Sequence, residues 1–223
     1  LTNETIQVNG SGTGGFSTRF DEALSYAAEA HRFQRRKDTK ATAHSPAIPG
    51  APYIGHLLGV ASIVIDARAT EDEAIGALLH DVAEDQGGEP RLREVREIFG
   101  DLVGDIVEGC SDSLTEDPEA KAPWRERKER YIEHVRTAAK VSVLLVSSAD
   151  KLHNARSTLQ DLRLATDPST VWSKFNSAAG RDGTLWYYRS LIAAFRAGPR
   201  DARRDPIVDE LERVVEAMAA ASA

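Results

Sequence analysis

A single cysteine, Cys110, leaves no partner for a disulfide within the chain, which agrees with a reducing compartment. No apolar stretch approaches the ~18 residues a membrane span needs; even the run 141–146 already has a serine inside it. No basic start followed by an apolar middle opens the chain, so nothing reads as a secretory signal. These absences point to a cytoplasmic protein with no membrane partner. Excess positive charge is missing too: 28 Lys and Arg stand against 35 Asp and Glu, a formal charge of −7. Sequence-independent nucleic-acid binding relies on a broad cationic face to displace phosphate counterions, so this balance argues against a nucleic-acid partner. Internal repeats and the alternation of a half-buried strand are also absent.

What is present is helical patterning. With 223 residues, 41% of them apolar, the chain is long enough for one sizeable core. Residues 1–16, rich in Gly, Ser, Thr and Asn, read as a flexible leader, and 17–223 as a single domain. Ser17 or Thr18 is a suitable cap for a helix carrying Phe20, Leu24, Ala27 and Ala28, with His31 continuing that face. A loop over 38–51, rich in proline, precedes a helix from Tyr53 to about Asp66. Thr70 and Glu73 form a capping-box pair that opens a helix predicted over 71–84, ended by Gly87 and Gly88. Further helices are expected near 90–99, 101–112, 119–137, 139–163, 168–196 with a break near Gly180 and Gly183, and 205–220. The fold class is therefore all-α.

Three separated segments carry polar groups into apolar surroundings. His80 and Asp81 interrupt Leu78, Leu79 and Val82, with Glu84 and Asp85 one turn on. His56 lies near an apolar helix start, and Asp150 follows the apolar 141–146 stretch. Taken singly, these are a surface pair, a core histidine and a structural cap. Taken together, they share one explanation, a metal ion held by His56, His80, Asp81 and Asp150. Two imidazoles with two carboxylates suit Mn²⁺, Fe²⁺ or Zn²⁺ better than Mg²⁺. Glu84 and Asp85, supernumerary as ligands, are placed to orient or deprotonate a water. Two basic runs stand out against the acidic whole: Arg32, Arg35, Arg36, Lys37 and Lys40, and then Arg125, Arg127, Lys128 and Arg130. The second either neutralises a leaving anion or faces water.

The ordered motifs resemble the hydrolase domain of the Rel/SpoT alarmone enzymes, most closely their stand-alone small forms. The resemblance rests on AEAHRFQRRKD (28–38), PYIGH (52–56), ALLHDVAED (77–85), FG (99–100), VEG (107–109) and ADKLHNAR (149–156), and spans roughly residues 20–198. It implies an HD-domain helical bundle that removes the 3′-pyrophosphate of guanosine tetra- or pentaphosphate, a small-molecule substrate, with one Mn²⁺ ion as cofactor. Carried over by position, it makes His56, His80, Asp81 and Asp150 the metal ligands and Glu84 and Asp85 the water-activating pair. Arg36 becomes the residue that stacks on the base and Lys37 the one that meets phosphate, roles that suit a guanidinium and an ammonium. Asn154 falls where the family reaches base or ribose, and Ser157 replaces a threonine while keeping its hydroxyl. A monomer or homodimer is expected.

The sequence also departs from the pattern. Fourteen residues, His44 among them, separate Lys37 from Pro52 where the family has a few, which leaves substrate preference open. Leucine rather than proline follows His56, and Asp112 stands where the long enzymes carry lysine. An HD phosphohydrolase for another nucleotide, an adenosine alarmone or the 2′-phosphate of NADPH, fits the same residues. A nucleotide sensor without turnover fits less well, because Glu84 and Asp85 accompany the full ligand set.

Overall fold

The computed structural model describes residues 15–38, 47, 49–115, 117, 122–137, 140–175 and 179–222. Of the leader, residues 1–14 lie outside this set, as do 39–46 and 48 of the 38–51 loop, including His44. Eleven helices form among the described residues: α1 (Thr18–Ala30), α2 (Ile54–Asp66), α3 (Glu71–Leu79), α4 (Val82–Gln86), α5 (Gly88–Phe99), α6 (Asp101–Cys110), α7 (Trp124–Thr137), α8 (Val141–Leu164), α9 (Ser169–Trp172), α10 (Gly180–Ala197) and α11 (Asp205–Ala220). No strand forms among them beyond one isolated bridge between Arg35 and Pro52, so the all-α expectation holds. No helix among the described residues is long and apolar enough to cross a membrane.

Helix α8 is the axis of the molecule. Its first half is buried without interruption from Val143 to Asp150, and it packs against α2, α3, α6 and α11. A helix apolar on every side belongs inside a core rather than on its surface. Leu144, Leu145 and Leu152 are at most 1% exposed, and each contributes about 1.5–3 kcal/mol by leaving water. Ser17 caps α1 by accepting from the Arg19 amide, and Pro206 stands in the first turn of α11, where a missing amide proton costs nothing.

Helix α3 starts with the predicted capping box: the Thr70 hydroxyl accepts from the Glu73 amide and the Glu73 carboxylate from the Thr70 amide. Glu73, 2% exposed, also accepts from Arg203 and from the Ser142 hydroxyl. One buried carboxylate thus ties the start of α3 to the first turn of α8 and to the segment before α11. Of the two helices bound in this way, α3 leads directly into His80 and α8 carries Asp150.

The single helix predicted over 71–84 is corrected by the structure. The helix stops at Leu79, His80 and Asp81 form a turn, and α4 begins at Val82. The cause is tertiary: the Asp81 carboxylate is drawn to Tyr53 and to two imidazoles. The 168–196 stretch, for which a break near Gly180 and Gly183 is expected, resolves into α9 and α10, and α10 begins at Gly180.

Candidate metal centre

His56 enters from the first turn of α2, His80 and Asp81 from the α3–α4 turn, and Asp150 from the middle of α8. The structure brings all four together. His80 Nε2 lies 3.0 Å from Asp81 Oδ2 and 3.6 Å from Asp150 Oδ1, and His56 Nε2 lies 3.4 Å and 3.2 Å from the same two oxygens. His56, His80 and Asp81 form a group able to hold a metal ion. Both imidazoles are 1% exposed and Asp150 is 4% exposed.

The donor set itself tests whether a cation fits. His80 Nδ1 lies 2.9 Å from the Ala77 carbonyl, an acceptor, so Nδ1 carries a proton. In the neutral ring, Nε2 then points a lone pair at carboxylate oxygens, and it is buried without a hydrogen-bond partner. Lone pairs facing lone pairs repel unless a positive charge sits between them. Burial works against a charged His80, yet Asp81 and Asp150 outweigh it and hold its pKa well above the ordinary value. The same field attracts a divalent cation, and the residues fit one.

Neighbours orient these groups. The Tyr53 hydroxyl donates to Asp81 Oδ2 at 2.6 Å, and its ring stacks on His31. Asn154 Nδ2 donates to Asp150 Oδ1 at 2.5 Å, and Lys151 Nζ to Asp150 Oδ2 at 2.5 Å. His153 Nδ1 meets His56 Nδ1 at 2.9 Å. Burial and the neighbouring His56 push His153 down to about 4, so its ring is neutral, with one nitrogen a donor and the other an acceptor. In the tautomer with the acceptor at His153 Nδ1, His56 Nδ1 donates and His56 Nε2 is free for a metal, the arrangement in which a partner sets the tautomer of a ligand histidine. Gly59 makes this possible, since a Cβ there would sit 2.2 Å from His153 Nε2.

Glu84 and Asp85 lie on α4 at the edge of the site. Glu84 Oε2 accepts from the Asp112 amide at 2.9 Å; burial and the Asp112 carboxylate raise its pKa to about 8 without a cation. Asp85 Oδ2 accepts from Gln34 Nε2 at 2.8 Å and is also raised, by burial and then by Asp81. A cation at the centre would lower both, favouring the ionised carboxylates that accept a proton from water.

Beside the centre opens a cleft of about 640 Å³ that contains the predicted Arg36, Lys37, Asn154 and Ser157. Arg36 Nη2 donates to Asn154 Oδ1 at 2.7 Å, so Asn154 links the cleft to Asp150. The Arg36 amide is bonded to the Ala51 carbonyl, and Gly50 permits the approach, because a Cβ there would lie 1.7 Å from the Arg36 carbonyl oxygen. The second basic run divides. Arg127 and Lys128 enter the cleft, both bonded to the buried Asp112, while Arg125 pairs with Glu129 and Arg130 with Glu126 on the surface. Sequence reasoning missed Tyr53, Lys151, His153 and Tyr187 as site residues. The signal available for three of them was position: Tyr53 lies three residues before His56, and Lys151 and His153 lie within four residues of Asp150.

Set beside known proteins, residues 23–185 match the HD domain family. The chain belongs to the HD-domain family. Its relatives are of the Rel/SpoT type. It is 37% identical over 69% of its length to 73% of the Xenopus tropicalis protein named guanosine-3′,5′-bis(diphosphate) 3′-pyrophosphohydrolase MESH1. The Drosophila melanogaster protein of that name is 34% identical, over 71% of this chain and 82% of its own. Among solved structures, a metazoan SpoT ortholog that hydrolyses ppGpp superimposes with a TM-score of 0.65, at 29% identity, over 90% of this chain and 97% of its own.

Proposed function

We propose that this HD-domain protein, a single hydrolase unit over 17–223, hydrolyses the 3′-pyrophosphate of guanosine tetra- or pentaphosphate, yielding GDP or GTP and pyrophosphate. The observation that carries the reading is the His56–His80–Asp81–Asp150 cluster beside a cationic cleft of about 640 Å³, a volume in the range of small-molecule sites. The relatives named for this reaction support it.

His56, His80, Asp81 and Asp150 would hold one Mn²⁺, with Fe²⁺ and Zn²⁺ as alternatives. Such an ion, when bound, lowers the pKa of a water and polarises a phosphoryl oxygen. In this reading Glu84 takes the water proton and Asp85, steadied by Gln34, orients the water. Arg36 stacks on the base, Lys37 meets phosphate, and Asn154 and Ser157 contact the nucleoside. The water oxygen bonds to the phosphorus attached to O3′ and the P–O3′ bond breaks. O3′ takes a proton to become the ribose hydroxyl, and pyrophosphate leaves with the water oxygen.

Product analysis tests this with ppGpp, pppGpp, ppApp and NADPH, each with Mn²⁺ and again with chelator. Pyrophosphate released from the guanosine compounds in the metal-loaded arm alone is the expected result. Phosphate from NADPH alone, or silence across the panel with metal bound, would overturn it.

A further inference from the structure

Between the metal centre and the cleft lies a small chamber of about 120 Å³, lined by Asp81, Glu84, Asp150, Lys128 and Lys151 among others. At ~30 Å³ per water it has room for about four waters, the scale of a phosphoryl group rather than a nucleoside. The chamber and the larger cleft share Tyr53, Glu84, Lys128, Lys151, Asn154 and Tyr187 as walls, so a ligand in the cleft can extend one end into the chamber.

We propose that Lys151 is a catalytic residue whose ammonium contacts the non-bridging oxygens of the phosphoryl group under attack in this chamber. The proposal rests on the phosphohydrolase reading above. Lys151 stands on the most buried part of α8, with its side chain 15% exposed, and its ammonium lies 5.1 Å from the centre of the Tyr131 ring. An ammonium has three donors. Among the described residues one of them is used, on Asp150 Oδ2, while Asp150 Oδ1 faces the two histidines. The carboxylate therefore sets Lys151 immediately behind the metal centre and leaves two donors for a ligand.

Among the described residues that line the chamber, the other cation, Lys128, is held by Asp112, and deeper in the cleft Lys174 is held by Asp161. The inner site, meanwhile, presents Asp81, Glu84 and Asp150 to an anionic phosphoryl group. Without a cation on the chamber side, those carboxylates would repel the reacting group. When the water oxygen bonds to phosphorus and the P–O3′ bond breaks, negative charge redistributes over the non-bridging oxygens, and Lys151 makes and breaks no covalent bond. Its contribution is electrostatic.

The test uses the full chain with Mn²⁺ and ppGpp. For Lys151→Gln, turnover should fall ~10²–10³-fold, as for loss of one preorganised donor, with Mn²⁺ affinity and KM within about threefold of wild type. Lys151→Arg should recover part of the loss. Turnover within threefold of wild type, or turnover falling in step with Mn²⁺ retention, would overturn the proposal; the second outcome would make Lys151 a support for Asp150. A further measurement stands apart from turnover and from the folding of variants. In wild-type protein labelled with ¹⁵N-lysine and loaded with diamagnetic Zn²⁺, inorganic pyrophosphate should shift the Lys151 Nζ resonance. An unmoved resonance at saturating pyrophosphate would sink the assignment. If wild type releases no pyrophosphate from ppGpp, the functional reading fails, and the resonance still decides whether Lys151 meets phosphate.

Discussion

The metal centre and the outer face of α10 and α11 are built from the same classes of charged residue and behave oppositely. On the outer face Arg189 pairs with Glu216 and Arg196 with Glu212, at 3.0 and 2.7 Å, with side chains roughly half exposed. Water screens such pairs, and each is worth ~0–1 kcal/mol. At the centre, His56, His80 and Asp150 are almost fully buried, and two carboxylates face two imidazoles. Taking charges out of water costs several kcal/mol per ion, which their mutual attraction offsets only in part, so such a cluster is a poor source of stability and is better read through what it binds. The comparison teaches that charge informs about function here only in combination with burial.

The largest effect in breaking that contrast is expected at the centre. Asp81→Asn and His80→Ala should lose bound metal and turnover together, read by metal content and product release; metal retained at wild-type level would remove them from the ligand set. Next come Glu84→Gln and Asp85→Asn, for which turnover should drop ~10²–10⁴-fold with the metal kept. Equal metal loss in these and in Asp81→Asn would end the separation of roles. His153→Ala should weaken metal binding ~10–100-fold by freeing the His56 ring. Gly59→Ala should act in the same direction by crowding His153, and titration with Mn²⁺ measures both.

A smaller effect is expected at Asp112, in the cleft beside the centre. Burial opposes its charge, but Lys128 and Arg127 outweigh that and hold the carboxyl at about 2. A folded pKa below the unfolded one means stability that is present above pH ~4 and lost as pH falls toward 2. Glu84, raised to about 8, stays protonated across that window and does not blur it. Asp112→Asn should therefore cost ~2 kcal/mol near neutral pH in denaturant melts, with the difference from wild type shrinking below pH 4. A difference independent of pH would remove the ion pair as its cause. Smallest of all, Arg189→Ala should change stability by less than ~1 kcal/mol and leave turnover unchanged.

Local rules made much of the fold legible. The Thr70–Glu73 capping box, the Ser17 cap and the apolar runs around Leu78 and Leu144 place helix starts and the core, because capping and burial depend on neighbours in sequence. They failed at His80 and Asp81, where side-chain contacts with Tyr53 and His56 override the propensity to continue a helix. The second basic run shows the same limit. Nothing in its spacing separates Arg127 and Lys128 from Arg125 and Arg130; the distinction comes from Asp112, buried after α6 and reaching the first pair.

By itself, then, the sequence determined an all-α chain and the chemical types available for a metal site, since periodicity, capping and the choice of His, Asp and Glu are written residue by residue. Only the tertiary structure decided which of those groups meet. His56 and Asp150 are 94 positions apart, yet Nε2 and Oδ1 approach to 3.2 Å because α2 and α8 pack through a shared core. It also decided that Lys151 lies against Asp150 with its side chain largely out of water and that His153 meets His56, contacts whose energies depend on burial and on direction across helices. Spacing along one helix carries neither quantity.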